Sequence, residues 1–212
     1  GPRPGSSLPG RSAPERQATH YQGILVTTPN NTNHTVDPIE IDTLKSGIRD
    51  VVDFPKQGII FKDITPVLAS PKLFSIALDA LLETAADHKI DKVVGIDARG
   101  FIFGAAIADR IKAGFVPMRK KGKLPFKTQE ASYKLEYGEA TIELHEDAID
   151  PGENIFLVDD LLATGGTAAA AVKLIQALEG NLTAASFLIE LEILDGRQHL
   201  TDATTVHSIL KY

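Results

Sequence analysis

Apolar positions along this chain fall into helical and extended patterns that alternate. Ile41, Leu44, Ile48, Val51 and Val52 lie at i, i+3, i+4 spacing, and Asp37-Pro38 ahead of them supplies an N-cap and a proline at the first helical position. One amphipathic helix is therefore expected there. Phe54-Pro55-Lys56-Gln57-Gly58 breaks the pattern. A second helix is expected from Pro71 to about His88, with Leu73, Ile76, Ala77, Leu81 and Leu82 inward. Beyond it come short β-branched runs. Lys92 to Asp97, Phe115 to Met118, Asn154 to Val158 and Ala184 to Leu191 read as buried strands. Phe101 to Ala113 and Thr167 to Leu178 read as helices between them.

Strands separated by helices of ten or more residues require crossover connections, and those build a parallel sheet. The expected class is α/β, with a mainly parallel sheet of about five strands flanked by helices. The polar insert from Lys120 to Pro151 fits this alternation poorly. It reads as a mobile loop leading into a strand, with alternation at Ala140 to Leu144.

Residues 1 to 36 carry no such pattern. They are rich in Pro, Gly, Ser, Thr and Asn, and three arginines face one acid, Glu15. That composition cannot bury enough apolar surface to order itself. It is expected to be a flexible tail or a tag or processing remnant, with a targeting segment as the lesser reading, ahead of a domain at 37–212. The longest nearly unbroken apolar stretch, Phe101 to Ala108, is far too short for a membrane span. Across all 212 residues, 22 basic against 28 acidic side chains give a net charge of −6, which argues against binding nucleic acid by bulk charge. There is no cysteine, which removes disulfides, thiolate nucleophiles and cysteine-based metal sites. No nucleic-acid or membrane partner and a cytoplasmic location are expected.

The chemistry concentrates in Ile155-Phe156-Leu157-Val158-Asp159-Asp160-Leu161-Leu162-Ala163-Thr164-Gly165-Gly166-Thr167. A buried strand is expected to end in two carboxylates, followed by a glycine-containing loop and an alanine-rich helix. Ligands bind at the carboxyl ends of parallel strands. A loop of backbone N–H groups at a helix N-terminus suits a phosphate, and glycine lets the backbone approach it. Thr164 and Thr167 add hydroxyl donors. Adjacent carboxylates repel a phosphate, so Asp159 and Asp160 should face sugar hydroxyls or a cation.

This stretch resembles the phosphoribosyl pyrophosphate (PRPP) signature of type I phosphoribosyltransferases, in the variant of the adenine-specific members. Phe54-Pro55, Gly58 to Leu68, Gly95 to Phe101, Arg119 to Pro125 and Ala131 to Gly138 resemble that family in order and spacing. The likeness covers residues 40 to 212. It implies a sheet-and-helix domain with a small hood around Ile59 to Pro66, homodimers, and adenine plus PRPP giving AMP and pyrophosphate with Mg²⁺.

Carried over position by position, the resemblance implies that Ala163, Thr164, Gly165, Gly166 and Thr167 cradle the 5′-phosphate. Asp159 and Asp160 take the ribose hydroxyls. Arg99 binds pyrophosphate, and Asp97-Ala98 is a cis peptide. Lys120 and Lys123 neutralise the leaving group, and Tyr137 joins the PRPP site. Glu136, on a closing loop, handles the proton of the base. Ile60, Phe61, Lys62 and Leu161 form the adenine pocket, with Lys62 where the family commonly has Arg. Mg²⁺ is expected through PRPP oxygens and water, with no protein metal cage. Another purine base, or a PRPP- or purine-sensing regulator without catalysis, are the other readings. A DNA-bound regulator would need a basic appendage, and none is visible.

Overall fold

The computed structural model describes residue 1 and residues 35–134, 138–200 and 205–212. The tail reading for residues 1 to 36 therefore falls almost wholly outside the described residues. Val36 lies inside them, and its N–H donates to Glu83 Oε2 at 3.2 Å.

Helix α1 spans Pro38–Ser46. Asp37 accepts from the Glu40 N–H at 2.8 Å while the Glu40 carboxylate accepts from the Asp37 N–H at 3.2 Å, so two otherwise orphaned donors are satisfied. The helix does not run on to Val52 as its spacing predicts. It stops at Gly47, and Arg49–Val52 forms strand β1, antiparallel to β2 at Ile60–Asp63. Ile48, Val51 and Val52 are β-branched, which favours extended backbone once a pairing partner exists. The turn between the strands holds a cis Phe54–Pro55 bond, and Asp53 Oδ1 accepts from the N–H of Gly58, whose φ is +85°. This two-stranded sheet, separate from the main one, is the hood.

Asp63 ties the hood to the next helix. Its carboxylate accepts from the Thr65 N–H at 2.8 Å at the start of helix α2, Thr65–Ala69, and from Arg49 Nη2 at 2.7 Å. Helix α3, Pro71–Glu83, is capped by Ser70 and ends a turn earlier than its pattern predicts.

The main sheet contains β3 (Lys92–Ile96), β4 (Gly114–Lys120), β5 (Thr128–Lys134), β6 (Glu139–His145), β7 (Asn154–Leu162), β8 (Asn181–Glu190) and β9 (Thr205–Lys211), in the order β5-β6-β4-β3-β7-β8-β9. From β4 to β9 the five neighbouring strands are parallel. Helix α4, Gly100–Ile111, connects β3 to β4, and α5, Gly166–Ala177, connects β7 to β8. The insert is not simply a loop before a strand. It forms the hairpin β5–β6, which extends the sheet antiparallel from β4. Strand β9 also escapes the pattern reading, as does the length of β7, which continues through both carboxylates to Leu162.

Both faces of the parallel strands are covered. Along β7, Ile155 and Leu157 enter one core with α5, while Phe156 and Val158 enter the other with α3 and α4. All four are fully buried. That double burial explains the unbroken apolar run and fixes where the strand delivers its polar end.

Candidate active site

The carboxyl ends of β3 and β7 meet over one cavity of about 270 Å³. At the end of β3 the Asp97 N–H donates to Met118 O at 2.9 Å, and Asp97–Ala98 is cis, as the family resemblance implies. Arg99 follows at the N-cap of α4. Gly100 lets that helix begin directly against β7, since a Cβ there would lie 2.7 Å from Asp159 Oδ1 and 2.9 Å from Val158 O.

Because β7 continues past Val158, its alternation separates the two carboxylates. The Asp160 N–H donates to Asp159 Oδ1 at 2.9 Å. Asp160 is buried and forms an ion pair with Arg99, Nε to Oδ2 at 2.7 Å. Burial pushes the Asp159 carboxyl well above the ordinary aspartate range, and the Asp160 charge adds to that shift. Burial also raises Asp160, against the opposing pull of Arg99. The Arg99 guanidinium lies 5.4 Å from the centre of the Phe61 ring, which links the hood to this cluster.

Ala163, Thr164, Gly165 and Thr167 line the cavity beyond the carboxylates. Gly165 has φ +82° and caps α5 with no side-chain hydrogen bond. No side chain caps the first N–H groups of α5, an arrangement that suits an anion. A Cβ on Gly165 would overlap the carbonyl oxygen of Gly196, in a short 3-10 segment at Gly196–Leu200. The loop therefore rests backbone to backbone on its support.

Lys120 and Leu161 also line the cavity. Lys123 does not. Its backbone is held below the sheet edge, with its N–H on Glu143 and its carbonyl accepting from Arg119 Nη1 at 3.1 Å. Gly166 stands behind the lining, close to Tyr133. Ile60, Phe61 and Lys62 lie in the hood strand β2, outside the cavity wall. Lys62 Nζ pairs with Asp50 at 2.7 Å and lies 4.1 Å from the centre of the Tyr212 ring. Glu136 and Tyr137 fall outside the described residues.

Of the lining residues outside the site expected from sequence, Tyr133 and Asp97 carry polar side chains. Tyr133 is on β5, and reading that stretch as a loop hides the alternation that aims it. Asp97 stands out in the sequence only for its peptide bond. Its carboxylate pairs with Arg119 Nε at 3.4 Å. Among the described residues, no group of three or more His, Cys, Asp or Glu side chains could hold a metal ion.

The family model of the phosphoribosyl transferase domain matches residues 67–188. An adenine phosphoribosyltransferase of Ruegeria pomeroyi is 54% identical over 166 residues, covering 78% of this chain and 93% of that protein. One from Acidothermus cellulolyticus is 54% identical over 175 residues, covering 82% and 98%. Among solved structures, adenine phosphoribosyltransferase from Rhodothermus marinus matches with TM-score 0.79 and 50% identity, covering 83% of this chain and 100% of that one. The Saccharomyces cerevisiae enzyme, complexed with adenine and an imino-altritol bisphosphate, matches with TM-score 0.77 and 40% identity, covering 81% and 98%. With the cavity at the strand ends, the uncapped glycine loop and the paired aspartates, these likenesses show that the chain belongs to the phosphoribosyltransferase family, among the adenine phosphoribosyltransferases.

Proposed function

We propose that this chain transfers the phosphoribosyl group of PRPP to adenine, releasing pyrophosphate and forming AMP. The observation that carries this reading is one cavity in which an uncapped helix N-terminus, two adjacent aspartates and two cationic side chains converge. PRPP has a 5′-phosphate, vicinal hydroxyls and a pyrophosphate, and each finds a chemical complement there.

The Ala163–Thr167 loop and the start of α5 hold the 5′-phosphate through backbone N–H groups, with Thr164 and Thr167 hydroxyls adding to them. Asp159 and Asp160 accept from the ribose hydroxyls. As the C1–O bond to pyrophosphate breaks, positive charge develops on the ring, and the two carboxylates favour it electrostatically. Burial disfavours two adjacent negative charges, so hydroxyl donors and growing ring charge both relieve the pair. Arg99 uses Nε on Asp160, which leaves its Nη donors for the departing pyrophosphate. Lys120 supplies a second positive charge, and Lys123 acts from farther out.

A purine nitrogen of adenine forms the new bond to C1, and its ring N–H proton must leave. Glu136 is assigned that proton and Tyr137 a PRPP contact, both by likeness to the family. Phe61, Leu161 and Ile60 give the base apolar walls. Lys62 contributes through its backbone, because its amine is committed to Asp50. A hard Mg²⁺ fits an oxygen-lined site such as this, reached through PRPP oxygens and water beside Asp159 and Asp160. When bound, it neutralises charge on the pyrophosphate. A cytoplasmic homodimer is the matching assembly. The exposed hood residues Val52, Phe54 and Ile59 offer apolar surface to a second copy.

The test is pyrophosphate release from PRPP and Mg²⁺ with adenine, hypoxanthine, guanine and xanthine supplied separately. Release with adenine alone is expected. Release with a different base would overturn the adenine pocket, and PRPP binding without release would overturn catalysis.

A further inference from the structure

A basic run places Arg119 and Lys120 at the end of β4 and Lys121 and Lys123 in the turn that follows, four cations in five consecutive positions. Four neighbouring cations repel one another, and a turn of such residues has little apolar surface to hold it. Only Lys120 among them lines the cavity. Something must fix the turn that follows so that the end of β4 presents this one side chain inward.

Beneath the turn lies Glu143. It is on β6, directly opposite Arg119 in the antiparallel pairing with β4, and it is only 3% exposed. Its Oε1 accepts from the Lys123 and Leu124 N–H groups, each at 2.9 Å, and its Oε2 accepts from Thr128 Oγ1 at 3.4 Å. These bonds, with a further one from the Gly122 N–H, outweigh the cost of burial and hold the carboxyl below its ordinary range. Gly122 itself has φ +81°, the tight bend that brings successive N–H groups round to one acceptor. The turn is tied at two further points. Arg119 reaches back to Lys123 O and across to Asp97, a cavity residue, while Lys121 pairs with Glu130 at 2.6 Å.

We infer that Glu143 is a positioning residue for pyrophosphate recognition: its buried carboxylate gathers the backbone of the basic turn and thereby aims Lys120 into the cavity. It touches no substrate. Glu143 lies in the same ladder as Ile142, which pairs with Lys120 and lines the cavity floor. A shift of the turn therefore pulls on the strand end that carries Lys120. The role rests on the PRPP reading above.

The test compares Glu143→Gln and Glu143→Ala with the wild type. KM values for PRPP and for adenine are measured separately, with amide hydrogen exchange at Lys123 and Leu124. A charged acceptor makes bonds roughly twice as strong as a neutral one, so Gln, which keeps an acceptor oxygen, should raise the PRPP KM by about threefold. Ala, which leaves the turn's N–H groups without their acceptor, should raise it by about tenfold or more. The adenine KM should stay within about twofold in both, and exchange at the two amides should quicken in the same order. Equal rises in both KM values would mark a general loss of fold and overturn the assignment. Faster exchange with an unchanged PRPP KM would overturn it too, and so would unchanged exchange. If the Ala variant does not fold, the Gln variant decides on the same readouts. A wild type that binds PRPP but forms no AMP would contradict the transferase reading instead, and PRPP affinity by calorimetry would then replace KM.

Discussion

At Gly165 the requirements of the proposed phosphate binding and of packing coincide. Its φ of +82° suits glycine, and any side chain would strike the Gly196 carbonyl. Gly165→Val should raise the PRPP KM by at least about tenfold, because it forces the anion-binding N–H groups out of line. A PRPP affinity equal to wild type, measured by calorimetry, would contradict the phosphate assignment. Glu136→Ala should behave differently. If its carboxylate handles the proton of the base, kcat should fall by about 10² or more while PRPP affinity is preserved. An unchanged kcat would show Glu136 to be a bystander. At this scale the sequence is informative where chemistry demands adjacent residues. Asp159 through Thr167 can be read as a unit because a phosphate loop must be contiguous. Asp97 and Tyr133 cannot, because they reach the cavity from strands distant in sequence.

At the scale of elements, periodicity locates the buried strands and mislays the exposed ones. β3, β7 and β8 are covered on both faces and appear as apolar runs, whereas β5 is a polar edge strand whose sequence, Thr128-Gln129-Glu130-Ala131-Ser132-Tyr133-Lys134, carries a weak alternation. The junction of α1 and β1 shows the other failure. Val51 and Val52 satisfy helical spacing as well as they satisfy strand pairing, and only the partner strand β2 decides. That hood is locked by Asp63, whose bonds to Thr65 and Arg49 lower its pKa to about 2 from 3.8. A depressed carboxylate stabilises the fold fully above its unfolded value and loses that contribution as pH falls through the folded value. The stability gap between wild type and Asp63→Asn should therefore be constant above about pH 5 and close toward about pH 2. Urea unfolding across that range checks it. A gap that widens on acidification would contradict the assigned bonds.

For the whole molecule, the domain described by residues 35 onward contains the cavity, the hood and both cores. Residues 1 to 36 are set apart by composition, and the relatives align over about four-fifths of the chain. Deleting residues 1 to 30 should leave turnover and melting temperature unchanged; a loss of either would refute the tail reading. The fold class is legible because a parallel sheet needs its helices in between, and that alternation survives in sequence. The antiparallel pair β5–β6 is not, because antiparallel neighbours close together in sequence leave no such spacing. The central claim is that this cavity joins the ribose of PRPP to adenine. Phosphorus NMR of PRPP, Mg²⁺ and adenine with the wild-type protein follows each phosphate directly. The PRPP signals should give way to AMP and pyrophosphate in equal amounts, with adenine consumed in step. PRPP that persists unchanged, or that is hydrolysed to pyrophosphate without AMP, would contradict it.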